Sequence, residues 1–297
     1  MNIRDLVYLV ACAKYKHFGR AARACHVSQP ALSAQIKKLE DELGVRVFER
    51  NNKQVVVTVA GEAIVRKAQA ILNQVDDLKH YAQVLQDPLS GVFRLGVIPT
   101  VGPYLLPLVL GEIKAAMPRL TLAIVEAQTQ RCLAQLQAGE LDAAVLALPI
   151  EGSHLQHQTL YTEPFYVAMP LAHPLARKSR ISQEDLVDEA VMLLADGHCL
   201  RDQALAVCRN SGAHEDQTLL ATSLETLRYM VSLGSGITLL PHLATQGIYA
   251  KQVDIAVRAF VEPQPTRQIA LVWRDISVRH VVAEKIATLI SATVALP

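Results

Sequence analysis

Two of the five cysteines in this sequence stand where a thiol could react. They lie in the segment Asp196-Gly197-His198-Cys199-Leu200-Arg201-Asp202-Gln203-Ala204-Leu205-Ala206-Val207-Cys208. Asp196-Gly197 breaks the preceding strand, and Cys199 opens a helix. Free N–H groups and the macrodipole at a helix start favour a thiolate over a thiol. His198 and Arg201 are close enough in sequence to hydrogen-bond to that sulfur or offset its charge. Asp202 opposes this unless it pairs with Arg201. The expectation is a reactive, oxidisable Cys199. Cys208 follows nine residues later. On one helix the two would face opposite sides, about 13.5 Å apart along the axis, whereas a disulfide needs Cα atoms within about 7 Å. If the stretch is helical, bonding the two sulfurs must unwind it, which makes oxidation a two-state conformational change. The polar run Asn210-Ser211-Gly212-Ala213-His214-Glu215-Asp216 could yield. Other readings stay open on these residues alone: two inert core thiols, a metal set of His198, Cys199, Cys208 and His214 (whose spacing fits no familiar zinc pattern), or a thiol peroxidase. Cys12, Cys25 and Cys132 read as structural, and an odd cysteine count argues against a disulfide framework.

The elements that must hold Cys199 alternate between strand and helix from Val92 onward, the pattern of an α/β fold. Phe93–Ile98 is a strand, with Pro99–Pro103 turning into a helix. Leu120–Glu126 is the next strand, with a helix from about Thr129, and Leu141–Leu148 is a third. A second set starts near Thr159 and includes strands near Phe165–Met169, Val191–Leu194 and Ile237–Leu240. The strand Ile269–Trp273 and the helix Val278–Thr293 return to the first set. This predicts an effector region over 89–297 made of two subdomains, 91–161 plus 267–297 and 162–266, joined by two crossings with a cleft between them. Thr100 and Thr129 fall where two strands run into helices, the end at which open α/β sheets bind ligands.

The front end has a different character. Net charge is +1 overall, yet the first 85 residues carry 13 Lys+Arg against 8 Asp+Glu, and the remainder is acidic. A basic front on a mildly acidic body points to a polyanion partner for the front alone. Ala21, Ala22 and Cys25 form the small-residue face of a short helix, and His26-Val27 is a turn. Ser28 is a good N-cap, and Pro30 suits a first helical turn. The next helix should bury Leu32, Ile36, Leu39 and Leu43, leaving Pro30, Ser33, Ala34, Lys37 and Lys38 on the other face, as suits a helix laid in a DNA major groove, with Ser28, Gln29, Pro30, Ser33 and Lys37 the candidates for DNA contact. Two β-prone runs flank Asn51-Asn52 and read as a wing, with Arg50 and Lys53 placed for phosphates or a minor groove. Ile64, Ala68, Ile71, Val75, Leu78, Ala82 and Leu85 then form a heptad seam on one helix over 59–88. This is the pattern of a two-helix dimer, with packing on its own domain as the rival reading. No apolar run approaches the roughly 18 residues of a membrane span, and the start lacks a signal-peptide core, so a cytoplasmic location is expected.

The run Ala21-Ala22…Val27-Ser28-Gln29-Pro30-Ala31-Leu32-Ser33…Ile36…Leu39-Glu40…Leu43-Gly44-Val45…Phe48-Glu49-Arg50 resembles the winged helix-turn-helix of LysR-type transcriptional regulators, and the resemblance covers the whole chain. It implies a helix-turn-helix domain over 1–58, a dimerising linker helix over 59–88, and an α/β effector domain over 89–297, similar to periplasmic binding proteins. It also implies homodimers pairing into homotetramers on a double-stranded DNA operator, and RNA polymerase as a partner. Within that family, the segment 196–208 resembles the loop of the peroxide-sensing members. So do Gly96–Pro107, Glu126–Thr129, Ala221–Leu227 and Gly234–Pro241. That finer resemblance makes Cys199 the peroxide-reactive thiol and Cys208 its disulfide partner. Thr100, Thr129, His198 and Arg267 would position hydrogen peroxide, and cellular thiol reductants would reset the switch. It implies no cofactor, no metal and no multiple-turnover enzyme. The alternatives are a family member that binds a small organic acid between Thr100 and Thr129, and a thiol peroxidase.

Overall fold

The computed structural model describes residues 1–51, 54–84, 87, 89–247 and 254–294. The chain divides into two units, Met1–Gln86 with Ala138–Glu140 and Asp87–Gln137 with Leu141–Pro297.

In the first unit, α1 (Ile3–Tyr15), α2 (Phe18–Ala24) and α3 (Gln29–Leu43) precede a hairpin, β1 (Phe48–Asn51) and β2 (Gln54–Val57), and the long α4 (Val59–Val84). Asn2 and Asp5 make a reciprocal capping box on α1. Ser28 caps α3 with its hydroxyl accepting from the Ala31 N–H, and Gly44 ends the helix at φ +67°, a conformation that favours glycine. Leu6, Leu9, Ala21, Ala22, Leu32, Ile36, Leu39 and Phe48 form the core. Leu43 belongs to the last turn of α3 and is 38% exposed, contrary to expectation. Cys25 is only half-buried, because it ends α2 rather than lying on its inner face. The buried Glu40 carboxylate accepts from the N–H groups of Val47 and Phe48 at 2.8 and 2.9 Å, fixing the start of the wing to α3.

The linker seam divides between the two readings. Ile64 and Ala68 pack on the core of their own unit, joined by Val65 and Leu72. Ile71 and Leu78 remain 41% and 68% exposed. Leu85 and Lys53 lie outside the described residues.

In the second unit, β3 (Gly91–Val97), α5 (Gly102–Ala116), β4 (Leu120–Glu126), α6 (Thr129–Gln137) and β5 (Ala143–Ala147) come first. They are followed by the long β6 (Leu155–Pro170), the short β7 (Arg180–Ile181), β8 (Ala190–Leu194), α7 (Cys199–Ser211), β9 (His214–Ala221) and α8 (Leu224–Ser232). The chain closes with β10 (Thr238–Pro241), β11 (Ile255–Phe260), β12 (Thr266–Arg274) and α9 (His280–Thr293). The main sheet runs β4-β3-β5-β12-β6-β11-β7, with β10 also on β6, while β8 and β9 pair in parallel as a separate ribbon. β5 is shorter than the expected 141–148 strand. β6 pairs with β12 over its first part and with β10 and β11 over its last, so one continuous strand serves both halves of the sheet. This is the α/β effector architecture behind a winged helix-turn-helix and linker helix that the sequence implies. Among the described residues no helix is long and apolar enough to cross a membrane.

Candidate functional site

Cys199 is the first residue of α7, and Cys208 lies on the same unbroken helix. The nine-residue separation therefore holds the sulfurs on opposed faces, about 13.5 Å apart along the axis. All five cysteines are free. Cys199 is partly accessible and packs at the edge of the core, whereas Cys208 is buried. Burial, with Glu215 adding to it, pushes the Cys208 thiol up to about 11. Burial likewise raises Cys132 to about 11 and raises Cys25. The Cys208 carbonyl closes the helix: it accepts from the Gly212 N–H, from the Ala213 N–H at 3.1 Å and from the Ser211 hydroxyl at 3.1 Å. With Cys199 and Cys208 so placed, the four residues weighed as metal ligands do not converge on one ion.

His198 precedes the helix as its N-cap, yet makes no side-chain cap bond. Burial lowers its pKa, so near neutral pH it is an uncharged imidazole rather than a counter-ion for a thiolate. Arg201 is also not the cation beside Cys199. Its Nε lies 2.8 Å from Asp196, and its Nη1 donates to Glu215 at 2.6 Å and to the Leu194 carbonyl at 3.1 Å. Those carboxylates raise its pKa. Residues two apart on a helix do not face each other, so Arg201 turns toward β8 and β9 and clamps the first turn of α7 there. It pairs with neither Cys199 nor Asp202.

Thr100 and Arg267 come together across the sheet. Arg267 Nη1 donates to the Thr100 hydroxyl at 3.2 Å, and Nη2 donates to the Thr100 carbonyl at 3.0 Å. Both residues are buried. Glu163, also buried, accepts from Arg267 Nε at 2.9 Å. Thr129 opens α6, and its hydroxyl is buried without a hydrogen-bond partner among the described residues. Its neighbour Gln128 meets the loop before Cys199: Nε2 donates to the Asp196 carbonyl at 3.5 Å. Gly197 has φ +90°, a conformation that favours glycine, and the Gln128 side-chain amide packs against it. The structure thus ties Thr100 to Arg267, and the 196–197 loop to the start of α6.

Sequence reasoning passed over Gln203. It lies four residues after Cys199, on the same face of α7. Nε2 donates to the Leu148 carbonyl at 3.4 Å, and Oε1 is buried with no partner among the described residues. Gln203 and Arg267 both line an open cavity of about 800 Å³, with Leu148, Phe165, Val207 and Pro265. Its helical spacing from Cys199 was the available signal.

On the first unit, Ser28, the N-cap of α3, is exposed, as are Gln29, Pro30 and Lys37 on the helix, where Ser33 is half-exposed. Arg50 stands in β1 opposite Val55.

The chain resembles known proteins over most of its length. Residues 3–62 match the bacterial regulatory helix-turn-helix protein, lysR family, and residues 86–294 match the LysR substrate binding domain. The chain is 48% identical over 274 residues to a hydrogen peroxide-inducible genes activator of Dickeya chrysanthemi, covering 92% of this chain and 90% of that one. It superposes on full-length OxyR C199D from Pseudomonas aeruginosa with a TM-score of 0.78 at 41% identity, covering 98% of this chain and 94% of that one. A structure of the oxidized form of OxyR matches with a TM-score of 0.64 at 43% identity, over 70% of this chain and 97% of that one.

Proposed function

The chain belongs to the LysR family of bacterial helix-turn-helix regulators, among its hydrogen peroxide-inducible genes activators, and from that membership we propose that its peroxide switch is the thiol pair on α7. It is a DNA-binding, peroxide-responsive activator of transcription. The observation that carries the residue assignment is the placement of Cys199, partly accessible, and Cys208, sealed, on one continuous helix. A bond between them demands a new backbone.

In the first step, the Cys199 thiolate attacks one oxygen of hydrogen peroxide. The O–O bond breaks, and the departing hydroxide takes up a proton to leave as water. Thr100, Thr129, His198 and Arg267 hold the peroxide, and the hydroxyl and guanidinium groups support the leaving oxygen. In the second step, the Cys208 sulfur attacks the sulfenic sulfur, the S–S bond forms and a second water leaves. One peroxide and two thiols give one disulfide and two waters. For Cys208 to reach Cys199, the helix must release the three bonds to the Cys208 carbonyl. The Arg201 clamp on Asp196 and Glu215 holds the other end and resists unwinding. A cellular dithiol reductant reverses the bond by exchange, so each oxidation is a signal rather than a turnover.

The remodelled effector domain changes how a homotetramer, built from dimers joined through α4, sits on its operator and meets RNA polymerase. Ser28, Gln29, Pro30 and Ser33 read the major groove, and Lys37, Arg50 and Lys53 contact phosphates. The organic-acid alternative is disfavoured, because the guanidinium beside Thr100 that a carboxylate would need is already held by Glu163. The test is DNA footprinting before and after one equivalent of hydrogen peroxide. Peroxide shifts the footprint of the wild type and leaves that of Cys199→Ser unchanged. A Cys199→Ser footprint that shifts equally would overturn the reading.

A further inference from the structure

Glu163 is the one fully buried carboxylate, at 0% exposure, among the described residues, and the reaction scheme does not use it. It stands on β6 directly across from Arg267 on β12. One of its oxygens, Oε1, lies 2.9 Å from Arg267 Nε and 2.8 Å from Nη2. The other accepts from the Leu243 N–H at 2.9 Å. Arg267 is therefore gripped along its Nε–Nη2 edge, and its Nη1–Nη2 end is turned to Thr100. Burying such a pair costs desolvation energy that a plain hydrophobic contact would not, so it calls for a reason beyond packing.

The geometry points to Glu163 as a positioning residue for the peroxide reaction: by fixing the guanidinium of Arg267, it makes Thr100 a hydrogen-bond donor toward the peroxide. A guanidinium has five N–H groups and no acceptor, while a hydroxyl has one hydrogen and two lone pairs. Nε and Nη2 face Glu163, Nη2 also donates to the Thr100 carbonyl, and Nη1 donates to the Thr100 hydroxyl. With one lone pair of that hydroxyl filled by Nη1, its hydrogen must point away from Arg267. The second Nη1 hydrogen remains beside it. These two hydrogens form a pair of donors on one side of the guanidinium, the arrangement that supports a hydroxide leaving a peroxide bond. If Glu163 loses its charge, the guanidinium is free to rotate, Thr100 can turn its hydrogen elsewhere and the pair of donors dissolves. The Leu243 contact anchors Glu163 itself, through the short turn His242–Thr245 that follows β10.

This inference rests on the proposed function, and the experiment separates the two. In the full-length reduced chain, the second-order rate of Cys199 oxidation by hydrogen peroxide is compared with its rate of alkylation by iodoacetamide. Alkylation expels iodide, which needs no proton donor, so it reports only thiolate content and access. Glu163→Gln keeps the shape and the Leu243 acceptor. It should slow oxidation at least about tenfold, since small misplacements of positioning groups cost that much or more, and leave alkylation unchanged. In an Arg267→Gln background, Glu163→Gln should then slow oxidation no further, because the two act as one unit. If Glu163→Gln leaves a buried arginine too exposed to loss of its partner to fold, Glu163→Asp keeps the charge but draws the guanidinium back from Thr100, and the same split is expected. Wild-type oxidation rates in both Glu163 variants, or oxidation and alkylation slowed in equal measure, would overturn the positioning role. A wild-type Cys199 inert to peroxide would overturn the proposed function instead.

Discussion

The reactivity of a thiol follows from where its sulfur stands, and the two thiols on α7 are treated oppositely by the fold. Cys199 has a helix start beneath it and partial access to solvent, whereas Cys208 is held protonated by burial. Peroxide should therefore meet Cys199 first. In a Cys208→Ser chain the reaction should stop at the sulfenic acid, which a dimedone-type probe captures at Cys199 and peptide mass spectrometry locates. Probe uptake spread evenly over Cys12, Cys25 and Cys132 would contradict this. Thr100→Val removes a donor at unchanged volume and should slow oxidation by about two orders of magnitude, the usual cost of one such donor, as read by stopped-flow. The residue scale is where reading the sequence worked best for local features and failed for distant ones. The start of α7 at Cys199 and the Ser28 cap depend on neighbours in sequence, and so were legible. Arg201 was misjudged because its partner Glu215 is 14 residues on, across another element. Glu163 was not seen at all, because it meets Arg267 only through strand pairing 104 residues apart.

At the scale of elements, the proposed switch makes α7 the part that changes, and its stability then sets how readily it does. Burial pushes the Cys208 thiol up to about 11 in the folded chain, above its ordinary value of about 8.5 in an unfolded one. It binds its proton more tightly in the folded form. That contribution to stability is complete below about pH 8.5 and is lost as the pH rises toward 11, amounting to about 3 kcal/mol. Denaturation of the reduced wild type should show this extra loss relative to Cys208→Ala, which lacks the titrating group. Parallel pH profiles for the two chains would refute it. The helices and strands themselves were largely readable, because hydrophobic period and cap chemistry act over a few residues. The length of β6 was not, since only pairing with β12, β10 and β11 shows that one strand serves both halves of the sheet.

At the scale of the molecule, the linker seam shows how one pattern can serve two surfaces. Ile64 and Ala68 face their own unit, and Ile71 and Leu78 are left exposed. A heptad repeat cannot say which of its members will be claimed by the nearby domain, so the sequence alone left both readings standing. With a dimer formed through the exposed part, Leu78→Lys should weaken self-association by at least about tenfold in sedimentation, since burying a leucine contributes about 1.5–3 kcal/mol. An unchanged dimer would place the interface elsewhere. The basic front end makes a separate prediction: Lys37→Ala should weaken binding to all DNA sequences alike and lower the salt slope by about one per contact removed.

All of this depends on peroxide joining two sulfurs that the reduced fold keeps apart. The most direct measurement exposes the fully reduced chain to about one equivalent of hydrogen peroxide, blocks the remaining thiols and maps cysteine linkages by peptide mass. A Cys199–Cys208 disulfide formed ahead of any change at Cys12, Cys25 or Cys132 is the predicted result. Five unmodified thiols, or a linkage that leaves Cys199 out, would contradict the account.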